Sequence, residues 1–237
     1  MNIFLAGASG VVGRRLVPML RDAGHVVTGT TRSPEKAAAL ETLGAKGVVV
    51  DVYDARALLK AMNAAHPDVV IHQLTDLPDT VDPKTYPAAL ARNARVRTEG
   101  TPNLVNAALV VGARRLIAQS VAFAYAPGGA PAEEAAPLDP SEARRVLVEG
   151  VKGLENAVSR PPGLEGIILR YGYFYGPGTW NAAPTPPAIH IDAAAHAALL
   201  AVTRGAPGIY NIAEHDGVVS SEKARRMLGF DPAFRLR

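Results

Sequence analysis

The sequence predicts an α/β fold: a doubly wound parallel sheet with helices on both faces and a reduced C-terminal cap. Three observations predict it. Short apolar segments alternate with segments of helical spacing, and such alternation implies parallel strands joined by right-handed crossovers. The short segments are continuous apolar runs, as strands buried on both faces require. A glycine triplet, Gly7, Gly10 and Gly13, stands at the first strand-to-helix turn.

Residues 2–6 are an apolar strand. Residues 10–23 place Val11, Val12, Leu16, Met19 and Leu20 near helical spacing, with Pro18 expected to kink the helix and Gly24 to end it. Residues 25–30 form the second strand. Ser33 and Pro34 are a helix start, a capping hydroxyl followed by proline at the first helical position, and this helix reaches Leu43 before Gly44. A strand over 47–50, a helix from the capping residue Asp54 to Ala65 and a strand over 68–72 repeat the pattern. A long helix over 87–111 and a strand over 115–119 follow. Residues 127–140 read as a mobile Ala/Pro/Gly-rich loop. Asp139, Pro140 and Glu142 read as a capping box that opens a helix to Ser159, and 166–170 is another strand. Beyond that the character changes. Residues 171–187, rich in Tyr, Gly and Pro, read as loop, followed by a helix over 192–203, capped by Asp192, a strand over 208–211 and a helix over 220–228. The expected division is a main unit over 1–170 and a cap region over 171–237 that is too short to stand alone.

Composition narrows the function classes. Hydrophobic residues make up 48% of the chain and charged residues 20%, enough for a globular core. With no cysteine there is no disulfide framework, thiolate metal site or cysteine nucleophile. The net charge of +3 comes from scattered Arg with few aromatics, so nucleic acid is not an expected partner. No apolar run reaches the roughly 20 residues of a membrane span, and the apolar start is shorter than a secretory leader. The expected location is cytoplasmic.

The glycines follow the first strand and open the first helix. In that context one makes a tight turn, one lets a diphosphate approach closely, and one lets helix pack tightly on strand. Gly7, Ser9, Gly10, Val11, Val12 and Gly13 are therefore the expected diphosphate cradle of a Rossmann-like dinucleotide site, helped by the helix N-terminus. The second strand ends in Thr30-Thr31-Arg32-Ser33, with no acid for the ribose hydroxyls. Arg32 and Ser33 can hold a 2′-phosphate, which favours NADP over NAD; the alternative is that Arg32 is a solvated surface side chain. Asp51 and Val52 would border the adenine, or Asp51 would only cap its turn. Gln73, Leu74 and Ser120 would line the path to the nicotinamide.

These motifs resemble the epimerase/dehydratase branch of the extended short-chain dehydrogenase/reductases. The resemblance rests on the glycine spacing, Val70-Ile-His-Gln-Leu74, Glu99-Gly-Thr-Pro-Asn-Leu104 and Leu169-Arg-Tyr-Gly-Tyr-Phe-Tyr-Gly-Pro-Gly178. Ile189-His-Ile-Asp192, Tyr210-Asn211-Ile and Leu228-Gly-Phe-Asp-Pro232 add to it. It implies an NAD(P)-dependent oxidoreductase or epimerase acting on a small molecule, with a homodimer as a further expectation. It also implies a Tyr and, four residues later, a Lys that lowers the Tyr pKa for proton exchange with substrate. No Tyr-x-x-x-Lys occurs in this chain. Matching Glu155 to the acid that closes the family helix puts Leu147 and Val151 in those two positions, with Lys152 one residue off. Ser120 and Tyr125 are the remaining catalytic candidates, although the serine position counted back from Tyr125 falls on Val121. Tyr125, Tyr173 and Tyr175 either serve at the nicotinamide end or pack.

The segment from Trp180 to His190 is short, so the expected substrate is smaller than a nucleotide sugar; Trp180 and the tyrosines either flank it or pack the cap. A catalytically silent NADP(H)-binding sensor is the alternative function. His190, Asp192 and His196 have metal-like spacing, yet a strand–helix junction with a capping Asp192 explains them better, and no metal is expected. No Gly-x-Ser-x-Gly elbow or Walker-type Gly-Lys-Ser/Thr occurs, which removes those hydrolases and the P-loop proteins.

Overall fold

A computed structural model describes residues 1–78, 82–129 and 131–236. The first half of the chain runs β1 (Asn2–Ala6), α1 (Gly13–Asp22), β2 (Val26–Thr31), α2 (Pro34–Thr42), β3 (Lys46–Val49), α3 (Ala55–Ala65) and β4 (Val69–His72). Next come α4 (Tyr86–Arg95), a π-turn (Val96–Gly100), α5 (Thr101–Val110), β5 (Arg115–Val121), α6 (Arg145–Ser159) and β6 (Glu165–Tyr171). The chain closes with β7 (Tyr173–Tyr175), β8 (Ala188–His190), α7 (Ile191–Ala201), β9 (Gly208–Ile212) and α8 (Glu222–Leu228).

Seven strands form one parallel sheet in the order β3-β2-β1-β4-β5-β6-β9. The order reverses at β1, whose Ala6 pairs with Thr30 on one side and His72 on the other. The crevice above those strand ends is the switch point where ligands of such sheets bind. The apolar runs divide between two cores with a period of two, as a pleated strand requires. Ile3, Leu5, Ile71, Ile117 and Leu169 pack under α1, α2 and α7; Phe4, Ala6, Val70, Leu116 and Ile168 pack under α3, α5 and α6. Six alanines of α7, from Ala193 to Ala201, are fully buried, and Arg15 of α1 ties the two helices through Asp192 at 2.7 Å.

Several local expectations are corrected. Residues 10–12 are turn, because the Gly10 N–H donates back to Gly7 O at 3.0 Å, and the helix proper starts at Gly13 and continues through Pro18. The long helix carries the π-turn, where the Thr101 hydroxyl donates to Val96 O. The capping box does not form: Asp139 accepts from the Ser141 N–H, and a 3-10 turn over Glu142–Arg144 leads into α6. The 127–140 loop is pinned by hydrogen bonds from Ala126 N–H to Pro137 O, Ala132 N–H to Val218 O and Asp139 N–H to Ala124 O; its residue 130 lies outside the described residues. Residues 171–187 include β7, which pairs in parallel with β8. The ring of His190, not Asp192, caps α7 by accepting from the Asp192 N–H at 3.2 Å. The C-terminal region also supplies β9, an edge strand of the main sheet.

Candidate active site

A cavity of about 980 Å³ opens above the C-terminal ends of β1, β2, β4 and β5. Its glycine-lined end has the shape a diphosphate needs. Gly7 has φ +85°, and a Cβ there would lie 2.6 Å from Gln73 O. At Gly13 a Cβ would lie 2.4 Å from Ala8 O, so only glycine lets α1 approach β1 this closely. At Gly10 a Cβ would meet only Gly7 O, at 3.3 Å; the remaining space belongs to the cavity. Among the described residues the N–H groups of Val11 and Val12 have no backbone partner. A cradle of open space, free N–H groups and a helix N-terminus fits a dinucleotide diphosphate.

Beyond the cradle, the end of β2 carries Thr31, which accepts hydrogen bonds from the Ser9 hydroxyl and the Ser33 N–H. Arg32 lines the cavity and reaches Asp76 at 3.3 Å. Ser33 caps α2 by accepting from the Lys36 N–H and donates to Glu35. Lys36 and Arg14 also line the cavity, and sequence reasoning missed both. The signal for Lys36 was available: the third helical residue lies beside its N-cap. Asp51 accepts from the Tyr53 N–H, so the turn-capping role is present, and both Asp51 and Val52 also line the cavity.

The inner end is formed by Gln73, Leu74, Gln119, Ser120, Phe123, Leu147, Tyr171 and Tyr173, among others. His72, fully buried beneath it, accepts from the Leu74 N–H through Nδ1 and bonds the Thr101 hydroxyl through Nε2 at 3.0 Å. Burial, with Arg97 adding to it, pushes His72 down to about 3, so the ring is neutral. Gln73 donates to the Tyr171 hydroxyl at 3.4 Å, while its Oε1 has no partner among the described residues. Burial pushes the Tyr171 phenol up.

Of the two catalytic candidates, Ser120 lies at the cavity, but its hydroxyl donates to Glu155 at 2.8 Å. Glu155 also receives two bonds from Arg170, at 2.8 and 2.7 Å. Burial works against the Arg170 charge, but the bonds and charge of Glu155 outweigh it and hold its pKa up. Tyr125 is not brought to the cavity. Its hydroxyl donates to Asn211 at 2.7 Å and accepts from Arg170 at 2.8 Å, and burial pushes its pKa up. Tyr175 donates to Glu214 at 2.6 Å, also away from the cavity.

Leu147 lines the cavity, and Val151, one turn on, is fully buried against Val121 and Ala124. Phe123 and Tyr173 stack with ring centroids 4.0 Å apart, and Trp180 at the lip donates to Pro78 O and meets Tyr86 edge-on. His190, Asp192 and His196 do not converge: His196 stacks on Phe234. Among the described residues no group of three or more His, Asp or Glu is placed to hold a metal ion.

The model of the NAD dependent epimerase/dehydratase family matches residues 3–200. The chain belongs to that family. A curated relative, a "3-diazoavenalumate denitrifying reductase" of a Streptomyces species, is 40% identical over 240 aligned positions covering 91% of this chain and 77% of the relative. Solved structures of similar fold include the UDP-glucose 4-epimerase of Thermotoga maritima with UDP-glucose (TM-score 0.82, 17% identity, covering 99% of this chain and 94% of that one). The UDP-glucose 4-epimerase of Thermus thermophilus in complex with NAD is another (TM-score 0.77, 20% identity, covering 100% and 95%). No helix among the described residues is long and apolar enough to cross a membrane.

Proposed function

We propose that this family member is a cytoplasmic, NADPH-preferring reductase that delivers hydride to a flat, electron-poor aromatic substrate, of the arenediazonium class, without taking a proton from the protein. The observation that carries the reading is Leu147 at the inner end of the cavity with Val151 behind it. By the sequence resemblance, with Glu155 matched to the acid that closes the family helix, these are the two positions where the proton-relay pair would stand. Carbonyl reduction and sugar epimerisation both create or consume a hydroxyl proton and need such a relay. Replacing dinitrogen by hydrogen does not. The bound reduced dinucleotide would supply the hydride: the ring C–N bond breaks, a C–H bond forms with the hydride's electron pair, and neutral dinitrogen leaves. The name of the Streptomyces relative supports this class.

The chain's own residues supply binding and shape. The glycine turn takes the diphosphate, Arg32 with Ser33, Lys36 and Arg14 favours a 2′-phosphate, and Asp51 and Val52 border the adenine. The stacked pair of Phe123 and Tyr173, with Tyr171, gives the inner end an aromatic surface suited to a planar ligand. The short link from β7 to β8 and Trp180 at the lip leave room for a ligand smaller than a nucleotide sugar. Ser120, fixed by Glu155, orients rather than exchanges protons.

The test is isotopic. With NADPH deuterated on the transferred position, the arene product should carry one deuterium at the carbon that lost nitrogen; with ordinary NADPH in D2O it should carry none. Solvent deuterium at that carbon would overturn the reading. The absent relay also fits a chain that binds NADP(H) as a sensor, and tight binding with no diazonium-dependent oxidation of NADPH would favour that instead.

A further inference from the structure

Arg97 is the one inner-end charge that none of these roles uses. It lies in the π-turn between α4 and α5, is 6% exposed, and lines the cavity. Among the described residues it makes no hydrogen bond, ion pair or cation–π contact. Glu155, the acid whose charge acts on it, is already engaged by Arg170 and Ser120. Arg170 is matched by Glu155, with the half-buried Glu134 carboxylate on its far side against the Asn211 N–H, so Arg97 is left without a carboxylate of its own, and His72 is neutral. The remaining acids at the cavity, Asp51 and Asp76, belong to its adenosine side, where Asp76 pairs with Arg32 and Arg92. A buried cation with no partner is costly unless a ligand completes it. π-turns recur where a helix must bring a side chain to a functional site; here the turn stands over Gly150 of α6, where an added Cβ would lie 3.4 Å from Arg97 Cδ.

We propose that Arg97 is the substrate-anion anchor of this site, a specificity-determining residue that takes the carboxylate of an aromatic acid in a charge-assisted pair. The inference rests on the reductase reading for its aromatic ligand and adds the acid. A planar acid held by its carboxylate at Arg97 would lie beside the stacked Phe123–Tyr173 pair, and its negative charge would offset the guanidinium that otherwise repels a diazonium cation.

The decisive experiment reads binding, so it does not depend on turnover. Cinnamate and methyl cinnamate are titrated calorimetrically into the chain loaded with whichever oxidised nicotinamide dinucleotide it binds more tightly. The wild-type chain should bind the acid at least about tenfold more tightly than the ester, the scale of one charged hydrogen bond. Arg97→Gln should remove that preference and leave dinucleotide affinity within about threefold of wild type; Arg97→Lys should keep part of the preference. Equal binding of acid and ester to the wild-type chain, or binding of neither, overturns the proposal and needs no variant. So does an Arg97→Gln chain that keeps the preference, or loses dinucleotide affinity instead. Where turnover of 4-carboxybenzenediazonium is seen, Arg97→Gln should raise KM with little change in kcat. Failure of that turnover while the acid preference persists would count against the reductase reading and leave the anchor standing.

Discussion

At the adenosine end of the cleft the ligand-facing surface is mostly backbone and hydrated side chain: the glycine turn, the N–H groups of Val11 and Val12, and Arg32 with 59% of its side chain exposed. At the inner end the surface is largely apolar and aromatic, with Gln73, Gln119, Ser120 and Arg97 set into it, and the ion pair behind it is buried, Arg170 and Glu155 being 5% and 10% exposed. The first end does what every dinucleotide binder must do, so it keeps the residues that diphosphate binding demands. At the second, Leu147 lines the cavity and Val151 is buried behind it, so this stretch of α6 offers the ligand apolar side chains and no ionisable group. The difference teaches that the two ends fail differently. Loss of an exposed side chain at the adenosine end changes which dinucleotide binds; loss of one partner of the buried ion pair at the inner end is felt first as stability, because it leaves a buried charge uncompensated.

The largest expected effect is therefore at the inner end. Glu155→Gln leaves the Arg170 guanidinium buried without its carboxylate and frees the Ser120 hydroxyl; we expect a loss of about 3–5 kcal/mol, read by urea denaturation. A loss under about 1 kcal/mol would mean that water compensates the charge and that the contrast between the ends is false. Next is the cradle itself. Gly13→Ala sets a methyl group 2.4 Å from Ala8 O, a backbone atom that cannot move aside, and should cost about 3 kcal/mol together with measurable loss of dinucleotide binding.

The third effect is pH dependence. His72 is held down to about 3 by burial, with Arg97 adding to it, whereas in the unfolded chain it titrates near the ordinary histidine value of 6.5. Between those values the unfolded chain carries the extra proton, so stability falls as pH drops through the unfolded value and levels off near the folded one. From pH 7 to pH 5 the loss should be about 2 kcal/mol, and a His72→Gln chain should show a flatter profile over that interval.

Much of this was legible in the residues. Strand and helix alternation, Gly24 and Gly44 as helix ends, and the glycine turn are local signals, and the fold follows them. What local pattern could not supply was the partner of each polar group. Asp139 bonds two residues ahead instead of capping a helix, a competition that the same residue types would also satisfy. Tyr125, Arg170, Glu155, Ser120 and Asn211 form one network across segments up to 86 positions apart. Its members read singly as catalytic candidates or family signatures, and only the packed sheet shows that Tyr125 is turned into that network and away from the cavity. Arg97 was not singled out by the sequence; it is buried in the π-turn, which leaves no mark in apolar spacing.

The smallest effect sharpens the comparison most, because it isolates the adenosine end without touching the fold. Arg32 is largely exposed and its contact to Asp76, at 3.3 Å, is a surface pair of little consequence for stability. Arg32→Ala should therefore leave the unfolding midpoint unchanged. Its effect should be confined to the dinucleotide that carries a 2′-phosphate: a loss of one charge-assisted contact, about 1.5 kcal/mol or roughly tenfold in affinity for NADPH, with NADH unaffected. Lys36 also lines the cavity, so Lys36→Ala should act in the same direction, and the double variant should bring the two dinucleotides nearly level. Parallel calorimetric titrations with both dinucleotides measure this. Equal affinities for NADPH and NADH in the wild-type chain would assign Arg32 to Asp76 alone and return the adenosine end to a site built for NAD.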